Sequence, residues 1–139
     1  MSKYVYEIKG VPVAWSSHRG YGKKSFNPHY EEKRCAQWQL KLQHSGRPII
    51  ERAVRVDFLF EMPIPIVNLN KILKRIAEEK SVWHTKRPDA TNMRKFAEDC
   101  LVGTVLSDDS IVVSGETKKC YAKEPKTIIV IQELWEDEH

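Results

Sequence analysis

The sequence of 139 residues has few cysteines, and none of them has a close partner along the chain. The chain has three cysteines, an odd number, at Cys35, Cys100 and Cys120. They are widely spaced and form no C-x-x-C pair. This spacing indicates neither a disulfide framework nor a cysteine zinc site. The five histidines also lack metal-ligand spacing on a common helix. We therefore expect three reduced, structural thiols.

Long hydrophobic runs are also absent. No stretch approaches the ~20 apolar residues of a membrane span, and the N-terminus lacks the apolar run of a signal peptide. We therefore expect a cytoplasmic protein with no membrane partner. The composition, 41% hydrophobic and 30% charged, is that of a soluble globular protein. The length predicts a single domain over residues 1–139.

A nucleotide-binding loop is missing as well. The run Gly22-Lys23-Lys24-Ser25 lacks the G-x-x-x-x-G-K-[ST] spacing, so we predict no nucleotide cofactor. Residues 15–28 are expected to form a basic loop. Lys23 and Lys24 either contact nucleic-acid phosphates or belong to an ordinary surface loop.

Periodicity in the remaining chain predicts both strands and helices. Strands are expected at residues 4–8, 53–60, 111–113, 116–121 and 127–134, and helices at residues 30–43, 68–80 and about 89–102. This order predicts an α+β fold in which helices pack on one mixed β-sheet. The first helix is expected to turn Cys35, Trp38 and Leu42 toward the core.

The segment between residues 68 and 85 allows several interpretations. The predicted helix has an apolar stripe from Leu69 to Ala77, and it could cover the core, widen a subunit interface or line a nucleic-acid groove. Trp83 is expected in the core, because large aromatic side chains are highly buried on average. The alternative is that Trp83 stacks on an unpaired base.

The strongest functional signal lies in residues 86–109, KRPDATNMRKFAEDCLVGTVLSDD. Pro88 and Asp89 predict the start of a helix, and Gly103 predicts its end. Met93, Phe96, Ala97, Cys100 and Leu101 form the predicted core face of this helix. The opposite face carries Thr91, Arg94, Lys95, Glu98 and Asp99.

Two adjacent acids, Asp108 and Asp109, follow this helix and precede a predicted buried strand. Acids at the entrance of a strand, brought against Asp89 at the start of a helix, would form an oxygen cluster that suits magnesium or manganese. Between Lys71 and Lys95 the chain has eight cations against three acids. These cations lie where a phosphate backbone would approach the acids.

These residues resemble the signature of the RusA-type Holliday junction resolvases, an endonuclease family of phages and prophages. The family pattern is R/K-P-D-x-D-N-x-x-K, a helix ending in D-A-L-x-G, and D-D-x-x-V. Here it is matched by Arg87-Pro88-Asp89, Asn92, Lys95, Asp99, Leu101, Gly103 and Asp108-Asp109. The resemblance implies a homodimer that depends on Mg²⁺, for which Mn²⁺ can substitute. It implies that this dimer cuts two opposed strands of four-way junction DNA in recombination and repair.

The resemblance also implies roles for individual residues. Asp89 matches the first catalytic acid, Asp109 the last, and Lys95 the essential lysine. The family's second aspartate is replaced by Thr91, a much weaker ligand for magnesium. Because Glu98 lies seven residues further along the same helix face, we predict that it replaces the missing acid. A salt bridge from Glu98 to Lys95 or Arg94 is the alternative.

The predicted metal ligands are Asp89 and Asp109, with Asp108 and either Glu98 or Asp99 as inner or outer ligands. DNA contacts are predicted at cations near these acids and in the basic loop: Lys23, Lys24, Lys71, Lys74, Arg75, Lys86, Arg87, Arg94 and Lys118. Two alternatives remain open. The chain could be a DNA-binding protein that lost activity with Thr91, or a metal nuclease that acts on flaps or forks.

Overall fold

The computed structural model of the chain describes residues 2–15 and 29–135. Its helices are α1 (Tyr30–Gln43), α2 (Leu69–Ala77) and α3 (Ala90–Leu101), and its strands are β1 (Lys3–Lys9), β2 (Val54–Met62), β3 (Val112–Ser114), β4 (Thr117–Tyr121) and β5 (Lys126–Glu133). Short 3₁₀ turns occupy Ile66–Asn68 and Asp109–Ile111. The predicted α+β fold is confirmed. Lys23 and Lys24 lie outside the described residues.

The strands form one mixed sheet around β2. β1 pairs with β5, and β5 with β2, both antiparallel. On its other side β2 is paired in parallel, first with β3 and then with β4. Between β3 and β4, Gly115 lies so close to β2 that an added Cβ would be 1.7 Å from the carbonyl oxygen of Val56.

The core lies between the sheet and helices α1 and α3. Burial alternates along β2, where the buried residues are Val54, Val56, Phe58, Phe60 and Met62. The opposite sheet face carries half-buried residues of β2 and β5. None of the described helices is long and apolar enough to cross a membrane.

The predicted inward face of α1 is wrong. Ala36 and Leu40 are buried, whereas Trp38 and Leu42 are 65% and 60% exposed and Cys35 is exposed. The helix is oriented by two glutamines. Gln39 accepts a hydrogen bond from the Lys9 N–H (2.8 Å), and Gln43 bonds to both backbone groups of Glu7 (2.8 and 2.7 Å). These bonds satisfy the free edge of β1, so the more apolar side of α1 faces solvent.

Helix α2 is shorter than predicted. It ends at Ala77, and Glu79 follows with a positive φ of 60°. Only Ile72 is buried among its residues, and none of them belongs to the core cluster. Of the three roles left open by the sequence, covering the core is therefore not supported.

Candidate functional site

Helix α3 begins at Asp89, which is the N-cap residue in an extended conformation (φ −69°, ψ 142°). Its exposed side chain makes no capping hydrogen bond to the helix. An N-cap aspartate usually accepts such a bond from a backbone N–H. The carboxylate of Asp89 is therefore not committed to holding its own helix, and it faces solvent at the helix end where negative charge is favoured.

The core face of α3 is as predicted. Met93, Phe96, Ala97, Cys100 and Leu101 are all buried. The helix ends at Leu101, and Gly103 follows in the left-handed region at φ 83°. The Thr104 hydroxyl then donates to the carbonyl oxygens of Cys100 (2.8 Å) and Leu101 (3.0 Å). The C-terminal end of α3 is thus fixed by the buried Thr104.

The loop that leads into α3 is tied to β4. The Lys119 ammonium donates to the carbonyl oxygens of Lys86 and Pro88, the latter at 2.8 Å. The backbone N–H of His84 donates to the Lys119 carbonyl oxygen (3.1 Å). Burial, followed by the positive charge of Lys119, lowers the pKa of His84, so its ring is neutral at neutral pH. The position of Asp89 is therefore set by β4 as well as by α3.

The core position expected for Trp83 is wrong, because its side chain is 55% exposed. Trp83 pairs with Cys120 across an isolated bridge, and Val82 and His84 on either side of it are buried. Since alternate residues of an extended segment point to opposite sides, burial of both neighbours turns Trp83 outward.

Asp108 and Asp109 open the 3₁₀ turn Asp109–Ile111, which lies beside α3. Asp108 Oδ2 accepts hydrogen bonds from both the N–H and the hydroxyl of Ser110. These bonds hold the pKa of Asp108 below its usual value. Asp108 thus caps the turn, whereas the side chain of Asp109 is exposed and has no bond or ion pair within the described residues.

The two other acids of α3 are held by cations. Glu98 Oε1 lies 2.8 Å from Arg94 Nε, which is the alternative that the sequence left open. Arg94 also donates to Thr117 Oγ1 (2.8 Å) and to the Val56 carbonyl oxygen (3.3 Å). Asp99 pairs with Lys33 of α1 at 2.8 Å.

Lys95 is exposed on α3, with its ammonium 4.0 Å from the centre of the Trp15 ring. A cation–π contact holds the side chain without neutralising its charge. The backbone N–H of Trp15 donates to the backbone carbonyl oxygen of Asn92 (2.9 Å), so Trp15 is itself fixed on α3. The positive charge of Lys95 remains available to an anionic ligand.

Comparison with known proteins identifies the family of the chain. Residues 12–132 match the family described as Endodeoxyribonuclease RusA. The chain belongs to the RusA endodeoxyribonuclease family. It is also 30% identical, over 135 residues, to the uncharacterized protein YqaN of Bacillus subtilis, covering 93% of this chain and 95% of YqaN. The RusA family implies nuclease activity of the Holliday junction resolvase type.

RusA resolvases generally depend on a divalent metal. Across residues 2–15 and 29–135, no three His, Cys, Asp or Glu side chains are grouped closely enough to hold an ion by themselves. One or two carboxylates are a sufficient contribution from a protein to an ion such as Mg²⁺, which usually retains several waters. Asp89 and Asp109 are exposed carboxylates of this kind.

The predicted DNA-binding residues differ in their exposure and in whether they already have partners within the chain. Lys71, Lys74, Arg75, Lys86, Arg87 and Lys118 are exposed. Arg94 is bonded to Glu98, Thr117 and Val56, so a phosphate would have to replace one of these bonds.

The role of Lys119 in anchoring the loop before α3 was not found in the sequence analysis. The alternation along β4, which turns Lys119 toward α3 and Lys118 away, is the signal that would have found it.

The proposed replacement of Thr91 by Glu98 can be tested directly. If Glu98 supplies the missing ligand, Glu98→Gln should lower metal-dependent DNA cleavage roughly tenfold to a hundredfold. Cleavage rates over a magnesium titration would measure this effect, with Glu133→Gln as the control. Unchanged cleavage would leave Glu98 as the salt-bridge partner of Arg94.

Proposed function

We propose that the chain is a magnesium-dependent, structure-selective DNA endonuclease that resolves four-way junctions by paired symmetric nicks. The single observation that carries this proposal is the carboxylate of Asp89, which its own helix leaves free at a loop anchored by Lys119. Since no capping hydrogen bond engages it, this carboxylate is available to bind a metal ion. Exposed Lys86 and Arg87 lie directly before it and favour a phosphate ligand.

Asp89 and Asp109 would hold the metal, with Asp108 as an outer ligand through the carboxylate oxygen that Ser110 leaves free. The bound metal would supply Lewis acidity and lower the pKa of a water for attack on a phosphodiester. Lys95, held over Trp15, would stabilise the negative charge that grows on the scissile phosphate. Lys86 and Arg87 would hold the DNA backbone in position.

The test is cleavage of a labelled synthetic four-way junction with and without magnesium. Paired symmetric nicks that need the metal would support the proposal. Tight junction binding with no cleavage in magnesium or manganese would instead favour a binding protein whose activity was lost with Thr91. Unpaired cutting of flaps or forks, with no preference for junctions, would favour the alternative of a metal nuclease that acts on those substrates.

The proposed function also requires a homodimer. A junction presents two symmetric strands, and each chain has one proposed metal site, so a two-fold pair is the economical arrangement. The exposed face of α1 supports this proposal. This face carries three large apolar side chains that are more than half exposed: Tyr30 (56%), Trp38 (65%) and Leu42 (60%). Such a concentration on one helix is unusual.

The charges of α1 favour an antiparallel pairing with a second copy. Glu31 lies in the first turn and Lys41 in the last. When two copies of the helix pack antiparallel around a two-fold axis near residue 36, Glu31 of each faces Lys41 of the other. Arg34 of each copy then approaches the Trp38 ring of the other, a favourable cation–π arrangement. The same patch is thus complementary to itself, as a two-fold interface requires.

Trp38→Ser is therefore expected to convert a dimer into a monomer. An aromatic side chain buried at the centre of an interface commonly contributes 2 kcal/mol or more, about thirtyfold in the dissociation constant. Sedimentation equilibrium would measure the mass at several concentrations. Trp135→Ser is the matched control, because Trp135 is 54% exposed elsewhere on the surface. A Trp38→Ser protein that stays dimeric would contradict this interface without contradicting nuclease activity.

A further inference from the structure

The 3₁₀ turn Ile66–Asn68 and helix α2 form an arm at one end of the sheet, outside the core cluster. The arm leaves β2 after Met62, whose carbonyl oxygen accepts from the Ala122 N–H (3.0 Å). The chain returns at Val82, whose carbonyl oxygen accepts from the Tyr121 N–H (2.9 Å). Both attachment points lie beside the end of β4. Among the helices, strands and 3₁₀ turns, α2 packs chiefly against its own 3₁₀ turn.

This end of the sheet also holds the start of α3. Lys119, two residues before Tyr121, donates to the Pro88 carbonyl oxygen at 2.8 Å. The base of the arm and the loop that carries Asp89 are therefore anchored to neighbouring residues of the same strand. A ligand long enough to extend from Asp89 along the sheet edge would reach the arm.

The tip of the arm is apolar and exposed. Ile66 and Val67 are 90% and 93% exposed, more than any other large hydrophobic residue that the structure describes. Two adjacent branched side chains held almost completely in water are unfavourable relative to burial. An exposed apolar tip of this kind suits a contact with another molecule.

The charge of the arm identifies the kind of partner. From Pro63 to Ala77 the sequence contains no acid. Lys71, Lys74 and Arg75 are exposed on α2 behind the apolar tip. A segment that offers cations and aliphatic groups, with its nearest following acids at Glu78 and Glu79 beyond the helix, suits a ligand with phosphates and with apolar faces. DNA has both where base stacking is interrupted, because the flat faces of bases become accessible there.

We propose that residues 66–77 form a junction-binding arm, in which Lys71, Lys74 and Arg75 contact phosphates and Ile66 and Val67 pack against base faces at the branch point. The arm would thereby make the protein selective for branched over linear DNA. The proposal rests on the proposed function for the identity of the substrate. Binding can nevertheless be measured in the absence of magnesium, separately from cleavage.

The apolar tip is tested with the double variant Ile66→Ser/Val67→Ser. Its affinity for a four-way junction should fall about tenfold, because two apolar contacts are lost, whereas affinity for a linear duplex of the same sequence should change less than twofold. The matched control is Val11→Ser/Ile49→Ser, which removes side chains that are 58% and 45% exposed elsewhere. Fluorescence of 2-aminopurine at the branch point would report contact with the tip directly.

The cations are tested by replacing Lys71, Lys74 and Arg75 with glutamine. Each phosphate contact contributes about 0.9 to the slope of log affinity against log salt. The triple variant should therefore lower that slope by roughly 2 to 3 for both DNA forms. The tip variant should leave the slope unchanged. This contrast separates phosphate contacts from contacts with bases.

Equal junction affinity for wild type and the tip variant would overturn the proposal, as would an unchanged salt slope in the triple variant. Tip-dependent binding to anionic phosphatidylserine vesicles, with no tip effect on junctions, would assign the arm to a membrane surface instead and would also overturn it. Failure of the wild type to cut junctions would count against the proposed function. It would leave the binding result for the arm intact.

Discussion

Asp89→Asn is expected to lower the rate of magnesium-dependent junction cleavage roughly 10²–10³-fold and to leave junction binding intact. The substitution removes one negative charge from the proposed metal ligands. It should cost little stability, because asparagine is as good an N-cap residue as aspartate and Asp89 makes no capping bond in any case. Junction affinity should stay the same or rise slightly, since an anion near the phosphates is removed.

The measurement is a single-turnover cleavage assay on a labelled junction, with binding followed in parallel by a gel-shift titration. Asp109→Asn should behave in the same way as Asp89→Asn. Glu51→Gln removes an exposed carboxylate outside the site and should cut at the wild-type rate. Wild-type cleavage by Asp89→Asn would contradict the assignment of the free acid at the start of α3. Loss of binding together with cleavage would instead point to a structural role for Asp89.

Gly115→Ala is expected to destabilise the fold by about 3–5 kcal/mol. Gly115 has a φ of 141°, a value that side-chain-bearing residues rarely adopt. The new methyl group would meet the Val56 carbonyl oxygen at 1.7 Å, so the backbone of β2 or of the β3–β4 connection must move. Such a loss is a large part of the 5–15 kcal/mol that ordinarily stabilises a domain.

The effect should reach the candidate site. The carbonyl oxygen of Val56 also accepts from Arg94 (3.3 Å), and Arg94 joins α3 to Thr117 of β4.

Urea unfolding would measure the loss of stability in Gly115→Ala as a shift in the midpoint at an unchanged slope. Gly46→Ala is the matched control, because Gly46 also has a positive φ of 82° but has nothing within 4 Å of an added Cβ. We expect it to cost only about 1–2 kcal/mol from backbone strain. Equal losses in the two variants would show that the close approach to β2 is unimportant.

Local patterns in the sequence were sufficient for α3 and β2. The spacing of Met93, Phe96, Ala97 and Cys100 defines one face of a helix, and Gly103 defines its end. Strict alternation along β2 likewise defines its buried side. These features depend on periods of 3.6 and 2 residues and on end residues with special backbone preferences, all of which are local properties of the chain.

The motif between Lys86 and Asp109 also followed from the sequence, and the match over residues 12–132 confirms the RusA family. The partners of its side chains did not follow. Arg94 and Glu98 share one helix face with Lys95, yet Arg94 turns toward Thr117 and Val56 while Lys95 rests on Trp15. Such choices depend on residues far away in the sequence, which periodicity does not specify.

The sequence by itself thus determined the α+β class, the elements, the core face of α3 and the family. Only the tertiary structure decided which side of α1 faces the core, that Trp83 points outward and that α2 lies outside the core cluster. The reason is that an apolar pattern shows that a side chain favours burial but does not specify its partner. In α1 the hydrogen bonds of Gln39 and Gln43 to the free edge of β1 determine the orientation, and apolar Trp38 and Leu42 are left at the surface.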